Sequence, residues 1–213
     1  MTRLKLTEIF HSLQGEADTA GWPTVFVRLT GCPLRCQYCD TAYAFHGGEW
    51  WELPAIVARV REFATPYVCV TGGEPLAQRG CPELLGALCD AGLRVSLETS
   101  GAVPLAAVDT RVVKVVDVKT PGSGEEPRNL YPELARLQPQ DLVKFVICDR
   151  DDYEWSRGKL RELGLPAACT VLFSPSHEQL AARELADWIL ADRLPVRFQL
   201  QLHKYLWGNV PGK

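Results

Sequence analysis

Apolar residues occur along the chain in short, nearly continuous runs that alternate with longer segments of helical spacing. The runs predict strands at residues 24–29, 67–70, 94–98, 112–118, 142–147, 169–173 and 197–202. Because strands buried on both faces show such unbroken apolar runs, most of these strands are expected in a parallel sheet. Between them, helical spacing predicts helices at residues 53–63, 82–90, 152–163 and 177–190.

The alternation of strands and helices indicates an α/β fold built from βαβ units. Roughly six units fit the 213 residues, whereas a complete eightfold (β/α) barrel usually takes about 250 residues. We therefore expect a partial, modified (β/α) barrel of about six parallel strands. The sequence contains neither an internal repeat nor a low-complexity linker, so residues 1–213 are expected to form a single domain.

The net charge and the hydropathy of the chain argue against some classes of partner. Lys and Arg total 23 against 26 Asp and Glu, a net charge of −3 that argues against a nucleic-acid partner. No apolar stretch approaches the length of a membrane span, and the first residues lack the apolar centre of a signal peptide. We expect a protein of the reducing cytoplasm, where disulfides are rare. Its 8 cysteines then need another explanation.

Three of those cysteines, Cys32, Cys36 and Cys39, follow the first predicted strand with the spacing C-x₃-C-x₂-C. Three thiolates can hold a [4Fe–4S] cluster, which normally has four, and would leave one iron open to a small molecule. Two other interpretations remain: a structural zinc site with His46 as fourth ligand, or a redox pair of Cys36 and Cys39 alone. The remaining cysteines are typical of a buried core.

Polar residues recur where successive predicted strands end. They are Gly72–Gly73–Glu74, Glu98–Gly101, Asp117–Lys119, and Ser174–His177. In barrel-like α/β folds the carboxyl ends of the strands form the active site. Lys119 and Lys144 fall at buried strand positions, where an ammonium needs a partner such as a carboxylate or a cofactor.

On the cysteine spacing and the Gly72–Gly73–Glu74–Pro75 segment, the chain resembles the radical S-adenosylmethionine enzymes. The resemblance implies a radical SAM fold in which the three cysteines hold a [4Fe–4S] cluster. It implies that S-adenosylmethionine chelates the open iron and is cleaved to a 5′-deoxyadenosyl radical. Gly73 and Glu74 would then receive the amino group of S-adenosylmethionine.

Further segments are more specific. Residues 9–16, 27–32, 40–41 and 199–208 together resemble the 7-carboxy-7-deazaguanine synthase family of queuosine and 7-deazapurine biosynthesis. The resemblance implies a carbon–nitrogen lyase that contracts 6-carboxy-5,6,7,8-tetrahydropterin to 7-carboxy-7-deazaguanine with loss of ammonia. It also implies Mg²⁺, a homodimer, and a one-electron reductant such as flavodoxin or ferredoxin. Neither nucleic acid nor membrane is expected as a partner.

The same resemblance assigns roles to individual residues, and no side chain is assigned as the principal acid or base because the radical comes from the cofactor. The implied substrate-binding residues are Leu13, Gln14, Gly15, Glu16, Arg28, Thr99, His203 and Lys213. Thr41 is the implied Mg²⁺ ligand. The implied S-adenosylmethionine contacts are Tyr38, Cys39, Asp40, Gly73, Glu74, Gly101, Ser123, Lys144, Phe145, Val146, Ser174, Pro175, Ser176 and His177.

Two hypotheses compete with a deazapurine synthase. The first keeps the radical chemistry but directs it at a partner protein, as a protein-radical activase does. The second is a zinc-stabilised binding module without enzymatic activity. Metal content and a requirement for the pterin would separate the three.

Overall fold

A computed structural model describes residues 2–213, with the exception of the Pro166 side chain. Within that range one mixed sheet has the strand order β3-β1-β2-β4-β5-β6-β7-β8-β9. The strands are β1 (Arg3–Leu13), β2 (Pro23–Leu29), β3 (Glu49–Glu52), β4 (Tyr67–Gly72), β5 (Arg94–Thr99), β6 (Val113–Asp117), β7 (Leu142–Ile147), β8 (Thr170–Pro175) and β9 (Arg197–Phe198).

Strands β2 and β4 to β9 run parallel to one another. Strand β1 is antiparallel to both β2 and β3. The expected partial barrel of about six parallel strands is confirmed, since six longer strands are followed only by the two-residue β9. The sheet is open, because the order given above has two edges, β3 and β9.

Helices cover the outer face of the sheet, except for the last of them, which borders the cavity inside it. They are α1 (Leu53–Arg61), α2 (Cys81–Asp90), α3 (Arg150–Leu163), α4 (Leu165–Ala168), α5 (Ala182–Asp192) and α6 (Leu202–Trp207). Helix α3 is capped at its N-terminus by Asp149, whose side chain accepts a hydrogen bond from the Asp152 backbone amide (2.9 Å). It ends at Gly164, which has a φ of +60°. None of the described helices is long and apolar enough to span a membrane.

Two predicted boundaries are wrong, and strands β1 and β3 are absent from the predictions. Strand β1 was not predicted, because its residues are only alternately or partly buried and lack a continuous apolar run. The strand expected at 197–202 stops at Phe198, and Leu202 instead begins α6. The helix expected at 177–190 begins later, at Ala182, because Glu178 has a left-handed φ of +66°.

The two faces of the barrel differ in chemistry. The outer face packs a large apolar core against the helices, including Val143, Phe145 and Ile147 of β7. Because side chains alternate along a strand, the neighbours Lys144 and Val146 point to the interior and line its cavity. Only a small apolar cluster fills the deep interior, made of Ala17, Val115, Leu142 and Leu172 with Val113 against them. The rest of the interior is a cavity lined by both polar and apolar side chains.

Candidate active site

The cysteine loop, residues 31–41, leaves the carboxyl end of β2. Its first residue, Gly31, has a φ of +99°, which glycine adopts readily, and its amide donates to the Ala44 carbonyl (2.8 Å). The thiols of Cys32, Cys36 and Cys39 are free and partly exposed, and all three line one cavity. The local chain path therefore presents the three predicted ligands to a common space.

Two neighbours fix this loop in place. The Arg35 guanidinium donates to the carbonyls of Cys32 (2.8 Å) and Leu34 (2.6 Å) and lies 4.3 Å from the Phe45 ring centre. The Gln37 amide donates to the Ser123 carbonyl (3.0 Å). Ser123 thus supports the cysteine loop through its backbone.

The Gly72–Gly73 pair ends β4 directly against the cysteine loop. A Cβ atom on Gly73 would collide with the Gly31 carbonyl and the Cys32 side chain, and one on Gly72 would collide with the Leu29 backbone. The Glu74 amide donates to the Gly31 carbonyl (2.9 Å). Both glycines are therefore required by the close approach of two backbone segments.

The Glu74 carboxylate is fully buried and holds the next strand end. It accepts from the Leu76 amide (3.0 Å), the Thr99 hydroxyl (2.9 Å), and the Ser100 amide (2.7 Å) and hydroxyl (2.5 Å). With these four donors the side chain is occupied within the protein. Glu74 joins the ends of β4 and β5, and its carboxylate does not line the cavity.

The three thiols carry protons in the metal-free protein. Burial raises their pKa, in the case of Cys36 to about 11, and the nearby Lys119 ammonium opposes the shift. Because the thiolate is the metal-binding form, cluster binding must release protons, which Lys119 favours.

The arrangement fits a cluster better than a single ion. Among residues 2–213 no group of three or more His, Cys, Asp or Glu side chains is arranged to hold one metal ion, as the zinc-stabilised module requires. A [4Fe–4S] cluster is larger and takes each thiolate on a different iron, so its ligands need only surround one cavity. Tyr38 and Asp117 each leave a buried oxygen there without a hydrogen-bond partner in the described residues, as expected where a ligand supplies the partner.

The cavity has a volume of about 600 Å³. Its interior wall carries an inner charge network of Glu16, Lys144, Asp117 and Lys119. Lys144 Nζ lies 2.6 Å from Glu16 Oε2 and 3.7 Å from Asp117 Oδ2, which also lies 2.9 Å from Lys119 Nζ. Burial alone lowers the pKa of Lys144, but the surrounding carboxylates outweigh it and hold that pKa well above its usual value. Burial raises the pKa of Glu16 and Lys144 lowers it, with a net decrease, so both groups are charged.

Glu98 lines the same wall but is outside this network. The Thr71 hydroxyl, which donates to Glu98 Oε2 (3.2 Å), is its one hydrogen-bond partner among the described residues. Burial, together with the Glu16 carboxylate, raises the pKa of Glu98.

The C-terminal segment closes the open side of the barrel. The Leu202 amide donates to the Gly15 carbonyl (3.0 Å), and Gln201 Nε2 donates to Glu16 Oε1 (2.7 Å). Lys204 Nζ lies 2.8 Å from Asp40 Oδ2. Burial raises the pKa of Asp40, but Lys204 outweighs this and holds it well below its usual range. His203, whose pKa is lowered by burial, and Lys213 also line the cavity.

Arg28 projects from β2 into the cavity with its orientation fixed. Its Nε donates to Glu8 Oε1 (2.7 Å), which also accepts from the Tyr43 hydroxyl (2.8 Å). The guanidinium carbon lies 5.6 Å and 5.7 Å from the ring centres of Phe10 and Tyr43. The terminal nitrogens remain for an anionic ligand, for which a planar fork is suited.

Most predicted site residues are brought together on the cavity wall. These are Leu13, Gln14, Glu16, Arg28, Cys32, Cys36, Tyr38, Cys39, Asp40, Thr41, Gly73, Thr99, Lys144, Val146, Ser176, His177, His203 and Lys213. The predicted residues outside the wall are Gly15, Glu74, Gly101, Ser123, Phe145, Ser174 and Pro175.

Phe145 shows why some predictions miss the wall. Its ring packs in the outer core, with centres 5.5 Å from Phe173 and 6.3 Å from Trp155. Lys144 and Val146 point the other way, so a run of three consecutive strand residues cannot all face one ligand. Gly101, with φ +67°, lies beneath the wall, where a Cβ would crowd Val116.

The cavity residues without a role assigned from the sequence include Glu98, Asp117, Lys119, Gln201 and Lys204. The first three stand at the ends of β5 and β6, and their position at strand ends was the available signal. The partners of Gln201 and Lys204 are distant along the chain, so no local pattern could indicate their role.

The sequence is similar to those of known proteins over nearly its whole length. Residues 26–115 match the model of the Radical SAM superfamily. The chain is 46% identical over 208 residues to 7-carboxy-7-deazaguanine synthase of Chlorobaculum tepidum, covering 96% of this chain and 94% of that protein. It is 44% identical over 219 residues to the protein of the same name from Koribacter versatilis, covering 96% and 97%.

A solved structure shows the same fold. The crystal structure of QueE from Escherichia coli superposes with a TM-score of 0.78 at 23% identity, covering 94% of this chain and 95% of that one. The likeness thus extends well beyond the superfamily region at residues 26–115.

Proposed function

Because this chain belongs to the 7-carboxy-7-deazaguanine synthase family of radical S-adenosylmethionine enzymes, we propose that its cavity is the site of that family's reaction. The enzyme is a carbon–nitrogen lyase that contracts 6-carboxy-5,6,7,8-tetrahydropterin to 7-carboxy-7-deazaguanine with loss of ammonia. One observation supports this most: the three free thiols share a cavity with Gln14, Glu16, Arg28, Thr99 and His203.

The cofactors are a [4Fe–4S] cluster and S-adenosylmethionine. Cys32, Cys36 and Cys39 hold the cluster, which with S-adenosylmethionine supplies the one-electron chemistry that starts the reaction. Gly73, Tyr38, Asp40, Lys144, Val146, Ser176 and His177 line the wall and are proposed to contact S-adenosylmethionine. Glu74, Gly101, Ser123, Phe145, Ser174 and Pro175 would support these residues from behind the wall.

The carboxylate and the ring of the substrate are proposed to bind to different side chains. Arg28 is proposed to bind the carboxylate, since Glu8 occupies its Nε and leaves the terminal nitrogens available. Leu13, Gln14, Glu16, Thr99 and His203 are proposed to contact the ring, with Gly15 beneath His203 and Lys213 at the cavity's edge. By closing over the ring, these residues would exclude water from the reacting atoms.

Mg²⁺ is proposed to bind the Thr41 hydroxyl together with waters and the substrate carboxylate. Thr41 donates to Asp40 Oδ1 (2.8 Å), which orients its lone pairs and places a negative charge beside the ion. A single protein ligand suits Mg²⁺, which keeps much of its hydration shell.

The oligomeric state, the cellular compartment and the partners of the enzyme are proposed as well. We propose a homodimer in the cytoplasm, reduced by a flavodoxin or a ferredoxin, with neither nucleic acid nor membrane as a partner. The net charge of −3 supports the absence of a nucleic-acid partner.

The test is anaerobic reconstitution with iron and sulfide, followed by dithionite, S-adenosylmethionine, Mg²⁺ and 6-carboxy-5,6,7,8-tetrahydropterin. We expect 7-carboxy-7-deazaguanine and ammonia in equal amounts. Cofactor cleavage without that product, dependent instead on a protein partner, would identify an activase and overturn the proposal.

A further inference from the structure

On the basis of the proposed function, the carboxyl groups in the cavity can be compared as partners for the pterin ring. A carboxyl group and an amide at positions 14–16 were expected to read the edge of the pterin ring. In the structure, both oxygens of Glu16 are already paired, one with Lys144 Nζ (2.6 Å) and the other with Gln201 Nε2 (2.7 Å). The ionised Glu16 carboxylate therefore has no oxygen without a partner, and it has no proton to donate to the ring.

Glu98 has the capacity that Glu16 lacks. It lines the cavity, and its Oε1 has no hydrogen-bond partner among the described residues, while Oε2 accepts from Thr71 (3.2 Å). No Lys or Arg nitrogen within residues 2–213 lies within ion-pair distance of it. A carboxyl group placed inside a protein with so few partners is costly unless a ligand completes its hydrogen bonds.

Burial favours the neutral acid form of Glu98, and the nearby cations are engaged by other carboxylates. Lys144 is committed to Glu16 and Asp117, and the Arg28 Nε to Glu8. Burial and the neighbouring Glu16 carboxylate raise the pKa of Glu98, and they outweigh the opposing effect of the Lys144 and Arg28 cations. A neutral carboxyl group offers one donor and one acceptor side by side. An aminopyrimidinone ring offers the complementary pair, N–H beside a carbonyl or ring nitrogen.

We propose that Glu98 is a specificity-determining residue that pairs with the edge of the pterin ring through one donated and one accepted hydrogen bond. Glu16 contacts the ring as an acceptor only and keeps Lys144 and Gln201 in position. Thr71 orients Glu98 by occupying Oε2. A ring without an adjacent donor and acceptor would leave Glu98 unpaired and bind less well.

Glu98→Gln and Glu98→Leu test this. Glutamine keeps a donor and an acceptor in nearly the same shape, whereas leucine keeps the volume and removes both. We expect Glu98→Gln to bind 6-carboxy-5,6,7,8-tetrahydropterin within about threefold of the wild type. Losing two buried hydrogen bonds should weaken binding by Glu98→Leu by roughly 10- to 100-fold. Affinities come from anaerobic calorimetry on the reconstituted protein with the pterin alone.

Two controls distinguish a loss of ring recognition from a loss of folding stability. Ser96→Ala changes the same face of β5 away from the cavity wall and should leave affinity unchanged. Glu98→Leu should unfold at a temperature no lower than the wild type, because it removes a buried carboxyl group. Wild-type affinity in Glu98→Leu, or a loss in Glu98→Gln as large as in Glu98→Leu, would overturn the proposal. Absence of pterin binding by the wild type would instead overturn the proposed function.

Discussion

The His203 ring packs against Gly15 so closely that a Cβ atom at residue 15 would collide with Nδ1. Gly15→Ala should therefore displace His203 and α6. Because the cysteine loop is held by other contacts, iron content should stay at the wild-type value while the KM for the pterin rises roughly 10-fold or more. Steady-state kinetics with iron analysis check this, and an unchanged KM would show that α6 does not hold the substrate.

Removing a cluster ligand should abolish the cluster but leave the fold intact. Cys36→Ala is expected to reduce iron from about four per chain to background, with loss of the absorption near about 400 nm typical of thiolate-bound iron. Cys89→Ser is the matched control, since Cys89 is partly buried on α2 and does not line the cavity. Equal iron in the two variants would contradict the assignment of the cysteine loop.

The Glu74 carboxylate should contribute chiefly to stability. In Glu74→Gln an amide group would face the donors of Leu76, Thr99 and Ser100, leaving buried N–H groups unpaired. We expect the free energy of unfolding to fall by about 1–3 kcal/mol. Urea denaturation measures this, with Glu184→Gln, exposed on α5, as a control expected to stay within about 0.5 kcal/mol.

The Glu16–Lys144 pair should be most stabilising between acid and strongly alkaline pH. The pKa of Glu16 is lowered in the folded chain, so its contribution is present above the ordinary value of about 4.3 and is lost as pH falls through the folded value. The pKa of Lys144 is raised, so its contribution is present below about 10.4 and is lost as pH rises through the folded value.

Glu16→Gln leaves Lys144 buried without its main partner, which should cost about 3–5 kcal/mol near neutral pH. Unfolding at several pH values should show the difference from wild type shrinking below about pH 4.3. In the double variant Glu16→Gln/Lys144→Met most of the lost stability should return. A difference that stays constant from pH 3 to pH 7 would show that the pair is not ionic.

Much of the parallel sheet could be predicted because burial on both faces demands continuous apolar runs, as in β4 and β7. Strand β1 could not, since its partly buried residues lack that run. The cysteine loop was evident from spacing because its ligands are near in sequence. The inner charge network was not, because Glu16 and Lys144 are 128 positions apart and only the folded barrel brings them together.

The closure of the open barrel by residues 199–204 has a consequence for biosynthesis. Gln199 donates to the Ala17 carbonyl (3.2 Å), and the residues after it contact the segment at 15–16. Residues 15–17 are translated well before residues 199–204, so the two sides of this contact leave the ribosome at different times. The parallel strands can assemble during translation, but residues 199–204 can cover the open side of the cavity only after they leave the ribosome. Iron that arrives earlier would reach the three thiols of the cysteine loop without this cover.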